Sequence, residues 1–538
     1  MDRREEGLHD LEESSLIRKP PTEMTSSHTQ ERQERVFFDT YRWLGIGAIF
    51  FLLALGLVLR LINLTNPPMD YHADRQLHSA IIARGIYCQM TPCGDESYRQ
   101  TAIAIWKGET VYEPQILEHL VAITYMGVGN EYLWVIRILN AIFWLVGGAA
   151  LFILARELTS TDGAVVALAL YAILDFFVLI NRAFLPETFM LMWTILASLA
   201  IYRWTSTHAW KWALLAGILS GIAILVKVVA VFPITCMLLL LVLVNAQWKL
   251  KRIFLDWQIW FVGLALIFIP SLYYVFSIGQ RSSGFFEFWT LSFIRLLFQP
   301  TFYIRWLSLL HGLVGLSLLG LGLCGTFFLP RSGRALVWGW WLGYLLYGMF
   351  LPDQVSSHDY YNVFLVPMLA LSIASLGQLF LAKLATKPAF FQAIVLGIAL
   401  TGILYSAWHT RSKIMANNMR QEITAWKRMG EELPTDGGIV ALTQDYGYRL
   451  RYYGNRYIIL WPYSWDYDLT LRRGGNVGSF MENFTQYTAN AKYFLVSYFG
   501  ELDTQSELKS MLYDHYPLTQ QGDGYILFDL SQRLSPTP

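Results

Sequence analysis

Charge is what this 538-residue chain has least of. Asp, Glu, Lys and Arg make up 15 % of it, against about 25 % in ordinary soluble domains, while 54 % is hydrophobic and the mean hydropathy is +0.37. A water-soluble protein of this length is thereby excluded. The net charge of +1 gives no overall bias towards nucleic acid, and no nucleic-acid partner is expected. The opening residues do not read as a signal peptide, being polar, without an apolar core near the start or a small-residue cleavage site. Residues 1–43 read as a disordered cytoplasmic N-terminus, and the first apolar block as a retained membrane helix. Cysteine is scarce, with four in all. Cys236 and Cys324 fall in apolar blocks and read as packing residues, whereas Cys88 and Cys93 lie in a polar loop and form a candidate disulfide. No internal repeat is evident, which counts against a secondary transporter.

What is abundant is apolar sequence in blocks long enough to cross a hydrocarbon layer as helix. About eleven spans are expected, near 44–63, 132–154, 163–180, 187–204, 210–227, 229–246, 257–277, 306–329, 335–351, 361–383 and 389–408. With a cytoplasmic N-terminus, the inside connections carry ARELTS, RWTSTHAWK, QWKLKR, PRSGR and AKLATK, all short and basic. The opposite face then receives the first large loop (64–131), the NRAFLPE corner, the Lys227 corner, the loop 278–305, the QVSSHDYY corner and everything after 408. The expected location is a multi-pass protein of the cell (plasma or inner) membrane.

Beyond 408 the pattern changes. QEITAWKRMGEEL and SELKSMLYDHY have helical periodicity, and GIVALT, KYFLVS and GYILFDL read as short strands. Residues 409–538 are therefore expected to form an extracytoplasmic α/β domain. It contains no GxGxxG, Walker, HExxH or zinc-type CxxC signature, so a cap or docking module is favoured there over a second catalytic centre.

The polar residues that matter crowd at span ends on that outer face. MDYHADRQLHSAIIARG supplies Asp70, His72, Asp74, Arg75, His78 and Arg84 just past the first span, and SAIIARGIY looks like an amphipathic helix lying on the membrane. Taken singly, His78 reads as a structural histidine; the cluster as a whole does not read as ordinary interfacial solvation. NRAFLPE places Arg182 and Glu187 at consecutive span ends, where helix capping alone accounts for the carboxylate. Snorkelling is the bland account of Lys227, and a membrane-surface arrangement that of Arg305. EPQ adds Glu113, and SSHDYY adds His358, Asp359 and Tyr361. Carboxylates can take a proton from a hydroxyl nucleophile, and Arg and Lys can hold a phosphate that leaves with growing negative charge. The combination suits group transfer from a lipid phosphate.

In their order these pieces resemble the GT-C glycosyltransferases of the family 39 type, which include protein O-mannosyltransferases and the aminoarabinose transferases of lipid A. The resemblance covers about residues 40–408. It rests on D-x-H-x-x-R-Q (Asp70, His72, Arg75, Gln76) followed by ARG (Ala83–Gly85), the Glu113-Pro114 element, R-x-x-x-P-E (Arg182, Pro186, Glu187), LVK (Leu225–Lys227), and H-x-Y-Y (His358–Tyr361) leading into a span with Pro367. It implies a GT-C membrane domain over 44–408 and an inverting hexosyl or pentosyl transfer from a polyprenyl-phosphate sugar to a lipid, glycan or protein acceptor. A first-loop carboxylate would act as base. The D-x-H-x-x-R-Q register gives that role to Asp70, while counting back from ARG gives it to Asp74; Asp70 stands first. Arg75, Arg84, Glu113, Arg182, Glu187, Lys227, Arg305, His358 and Tyr361 would bind the donor phosphate and substrate. The lack of an adjacent Asp-Glu pair departs from the protein O-mannosyltransferase pattern. No cofactor is assigned; some relatives bind a divalent metal, but nothing here has metal-ligand spacing. The rival functions are a secondary transporter and a polymerase or ligase of lipid-linked glycans.

Overall fold

The structure, a computed structural model, describes residues 36–111, 113–275 and 291–534. The expectation of disorder over 1–43 falls almost wholly outside them. Where the two overlap the chain is ordered: the turn Phe37–Thr40 buries both phenylalanines, and the amides of Phe37 and Phe38 donate to Asp162 at 2.7 and 2.8 Å.

Every expected apolar block is helical, but two are broken. The block at 163–180 divides at Leu174 into Thr161–Ile173 and Asp175–Ile180. The block at 306–329 divides into Pro300–Val314 and Leu316–Thr326, bent by 90° at Gly315, whose φ of +77° suits glycine alone. Among the described residues, six helices are long and apolar enough to cross a membrane by length and composition, or up to seven if the bent pair is one span. The chain is a multi-pass membrane protein. Its helices pack through small residues, which let backbones approach where no hydrophobic force separates helix from lipid. Gly339 and Gly343 of Arg331–Phe350 lie on Met237 and Pro233 of Val231–Asn245, where an added Cβ would come within 2.4 Å of a Cα at either position.

The first loop, with helices Ala73–Met90, Glu96–Gly108 and Ile116–Val128, is continuous with the core of the bundle. Ala73–Met90 is not the membrane-surface helix expected from SAIIARGIY. It buries 14 of its 18 residues, because Glu96–Gly108 and Ile116–Val128 cover it on one side and the short helix Tyr448–Tyr453 of the C-terminal domain on another. Gly85 makes the first of these contacts: a Cβ there would stand 2.2 Å from Cβ of Trp106. Cys88 and Cys93 are bridged, with Cα atoms 5.1 Å apart.

The C-terminal α/β domain follows Ala389–Ala416, a helix that runs past the expected boundary at 408. Its five strands, β1 (Ile439–Leu442), β2 (Ile459–Leu460), β3 (Tyr493–Val496), β4 (Leu518–Gly522) and β5 (Tyr525–Asp529), lie in the order β2-β1-β3-β5-β4. The first three are parallel and the last three antiparallel. β1, β3 and β5 are wholly buried, and match the three apolar runs read from sequence. β2 is two residues long, and β4 is a polar edge strand, LTQQG, so neither carries a hydrophobic signal.

Candidate active site

Four breaks in regular structure meet at the end of the bundle that carries the first loop. The helix Trp210–Val226 stops at Lys227, whose extended backbone (φ −153°, ψ 118°) turns the side chain inward before the 3-10 turn Val228–Ala230. Pro186 starts the helix Glu187–Thr207 and fixes Glu187 in its first turn, where the dipole favours a carboxylate. Glu113 lies between two helices of the first loop. The 3-10 turn Asp359–Asn362 supplies Tyr360 and Tyr361.

Lys227 is the centre of this group. Its ammonium donates to Glu187 Oε1 at 2.6 Å and lies 2.9 Å from Glu113 Oε1, with the Tyr361 ring 5.0 Å away. Lys227 is 3 % exposed and Glu187 1 %. An ammonium has three N–H donors and these two carboxylates occupy two. Glu187 Oε2 is buried with no hydrogen-bond partner among the described residues, which leaves an acceptor site open beside the free donor. Burial alone would raise the Glu113 carboxyl, but the Lys227 ammonium and Arg75 guanidinium outweigh it and hold it below the usual range. Burial likewise works against the charge on Arg75, and Tyr360, Tyr361, Glu113 and Glu187 outweigh it, so the guanidinium stays charged. Arg75, Glu113, His78, Glu118 and Pro186 line a cavity of about 30 Å³, room for water but not for a sugar.

Of the residues expected at the site, Arg75, Glu113, Glu187, Lys227 and Tyr361 come together. His358 is beside them, 6.1 Å from the His72 ring in a stacked pair and bonded to Ser357 Oγ at 2.8 Å. His72 in turn meets Asp359 at 2.8 Å. Three arginines stand apart. Arg182 donates to the carbonyls of Arg60 and Ile62 and so caps the end of the helix Arg42–Leu61. Arg84 pairs with Glu131 at 2.9 Å and lies 3.6 Å over the Tyr452 ring, joining the first loop to the C-terminal domain. Arg305 bonds Ser356 Oγ at 2.6 Å and Asp353 at 3.2 Å, and its side chain is 41 % exposed. The sequence put these with the others because they share a face; their hydrogen-bond partners are set by helix packing.

The two first-loop aspartates differ. Asp70 Oδ2 accepts from Arg137 at 3.1 Å and from Asn66 at 3.3 Å, and Gln76 lies 3.5 Å from Oδ1. Asp74, in the first turn of Ala73–Met90, has neither ion pair nor hydrogen bond among the described residues and is half-buried. Its charge acts on His358, Tyr360 and, from the C-terminal domain, Asp445 and Tyr446. Arg137, the partner of Asp70, went unread in the sequence, although a charge inside an expected span signals a buried partner. Arg60 carried the same signal: it is fully buried, bonds Asn181 Oδ1 at 2.9 Å and lies 3.9 Å over the Trp144 ring. Among the described residues no three His, Cys, Asp or Glu side chains come together as a metal site.

This arrangement of a helical bundle, a packed first loop and a C-terminal α/β domain is the GT-C glycosyltransferase fold. ArnT from Cupriavidus metallidurans bound to undecaprenyl phosphate matches at 14 % identity over 90 % of this chain and 98 % of that one, with a TM-score of 0.50; its apo state scores 0.53. The oligosaccharyltransferase AglB from Archaeoglobus fulgidus, in complex with an inhibitory peptide and a dolichol-phosphate, matches at 15 % identity over 89 % of this chain and 73 % of that one, with a TM-score of 0.55. By sequence, residues 113–274 match the model of the dolichyl-phosphate-mannose-protein mannosyltransferase family. No curated protein matches the chain.

Proposed function

We propose that this protein is a membrane glycosyltransferase that moves a sugar from a polyprenyl-phosphate donor to a hydroxyl acceptor on the extracytoplasmic face, with inversion. The observation that carries the reading is the buried Lys227 ammonium, held between Glu113 and Glu187 with Arg75 beside it and one N–H uncommitted among the described residues. That is a preorganised cationic seat at a helix break, suited to a phosphate that gains charge as it leaves. The lipid tail lies among the apolar helices. Relatives of the same fold were solved with undecaprenyl phosphate and dolichol-phosphate, which supports this class of donor.

In the proposed step a first-loop carboxylate takes the proton of the acceptor hydroxyl. The acceptor oxygen attacks the anomeric carbon from the face opposite the phosphate, and the carbon–oxygen bond to the phosphate breaks, its electron pair leaving with polyprenyl phosphate. Asp74 suits the base better than Asp70. Its oxygens are uncommitted among the described residues, whereas Arg137 and Asn66 occupy one oxygen of Asp70 and tie that carboxylate to a buried cation of the bundle. Asp70 then fixes the start of the first loop. Purified protein in lipid, given a panel of polyprenyl-phosphate sugars, tests this through release of polyprenyl phosphate from wild type, Asp74→Asn and Asp70→Asn. Loss in Asp74→Asn is expected; unaltered release in both variants refutes the first-loop mechanism.

A further inference from the structure

β1 is the switch point of the C-terminal sheet: the chain leaves it for β2 on one side and later returns to β3 on the other, all three parallel. Ligands of open α/β sheets bind outside the carboxyl ends of the strands at such a point. Each of the three strands here runs into an aromatic segment at that end, namely Tyr446 after β1, Tyr463 and Trp465 after β2, and Tyr498 after β3. The rings form one group, with Tyr446 4.7 Å from Tyr463 and 5.5 Å from Trp465, and Tyr463 5.7 Å from Tyr498. Trp465 is 48 % exposed and Tyr498 37 %. Asp466 edges them, accepting from the Tyr446 hydroxyl at 3.2 Å, and the buried Glu501 fixes the segment from below by accepting from the Ser464 amide at 2.6 Å and from Gln505 at 2.8 Å.

The backbone is also unusual there. Asp445 and Tyr446 both have positive φ (47° and 52°) directly before Gly447 at 75°. Two consecutive side-chain-bearing residues in the left-handed region are strained, and such strain persists where the surroundings over-determine it, commonly at binding sites. This turn packs on the first-loop helix Ala73–Met90, and the Asp74 carboxylate acts on both Asp445 and Tyr446.

We propose that this aromatic shelf is the acceptor subsite and that its ligand is a saccharide. A sugar ring offers a C–H face that stacks on the exposed Trp465 indole, and a rim of hydroxyls that donate to the half-buried Asp466 carboxylate beside it. A bound ring would present a hydroxyl towards Asp74. The inference rests on the glycosyl-transfer reading above and adds the acceptor class to it.

The test uses the full chain in lipid nanodiscs, with fluorescent mono- to tetrasaccharides of hexoses and amino sugars as one set of probes and Ser/Thr peptides as the other. Wild type is expected to bind at least one saccharide, Trp465→Ala to bind it at least about tenfold more weakly, and Trp465→Phe to retain it, since an aromatic face is what the site supplies. Melting curves of the three proteins, recorded alongside, separate a lost ligand from a lost fold. No saccharide binding, or binding indifferent to Trp465→Ala, overturns the proposal, as does selective capture of the peptides. Failure of the donor reading would show separately, as no release of polyprenyl phosphate in wild type.

Discussion

Lys227→Met removes the charge that two buried carboxylates share while keeping a chain of similar length. Glu187, 1 % exposed and 2.6 Å from the ammonium, loses its ion-pair partner, and Glu113 at 2.9 Å loses one of its two cations. Breaking a buried pair from one side costs roughly 3–5 kcal/mol, most of it the penalty of the charge left behind. Adding Glu187→Gln neutralises that charge, so the double variant should recover at least about half of the lost stability, as expected for coupled neighbours. Activity should not follow. If Lys227 holds the departing phosphate, Lys227→Met and the double variant both lose about 100- to 1000-fold in turnover, the usual effect of deleting one preorganised donor. The assay is thermal unfolding in detergent beside release of polyprenyl phosphate, for wild type, both single variants and the double. A double variant that regains turnover along with stability would make Lys227 a structural counter-ion and refute the phosphate role.

Other consequences concern the frame around that site. Asp70→Asn leaves the Arg137 guanidinium, 2 % exposed, without its carboxylate and should cost about 1–3 kcal/mol in the same melts, whereas Asp74→Asn should stay within about 0.5 kcal/mol. Burial and then Arg75 lower the His78 imidazole to about 4. It is therefore neutral in the folded protein, and its contribution is complete above the unfolded value near 6.5 and lost as pH falls towards about 4. His78→Gln should flatten the loss of melting temperature between about pH 7 and about pH 5; an unchanged slope would assign that loss to other groups. Gly343→Leu would drive a side chain into Pro233, whose Cα lies 2.4 Å from the position of a Cβ, and should cost more than the roughly 1–3 kcal/mol of ordinary overpacking. Expression of well-folded Gly343→Leu protein would show that the two helices can separate.

Much of the fold was legible because the bilayer imposes length and polarity on any helix that crosses it. Each of the eleven apolar blocks is helical, and the alternating runs after 408 became β1, β3 and β5. The same local reasoning misplaced the helix Ala73–Met90. Its apolar residues suit a membrane surface and a protein interior equally, and only the elements packed on it, the C-terminal helix Tyr448–Tyr453 among them, make it interior. Clustered charge at span ends marked out one end of the bundle, yet it could not separate Lys227 and Glu187, which meet, from Arg84, Arg182 and Arg305, which bind elsewhere.

By itself, then, the sequence determined the membrane class, the helical blocks, the α/β character of the C-terminal part and the set of polar residues from which a site could be made. Hydrophobic transfer and backbone hydrogen bonding act along the chain, so periodicity and composition record them. Tertiary structure alone decided which carboxylates meet Lys227, that Asp70 is bound by Arg137 while Asp74 is not, and that three strand ends bring Tyr446, Tyr463, Trp465 and Tyr498 into one group, with the Tyr446 turn packed on the first loop. Ion pairs and ring contacts depend on separations of a few ångströms between residues tens to hundreds of positions apart, and no local pattern in the chain encodes those.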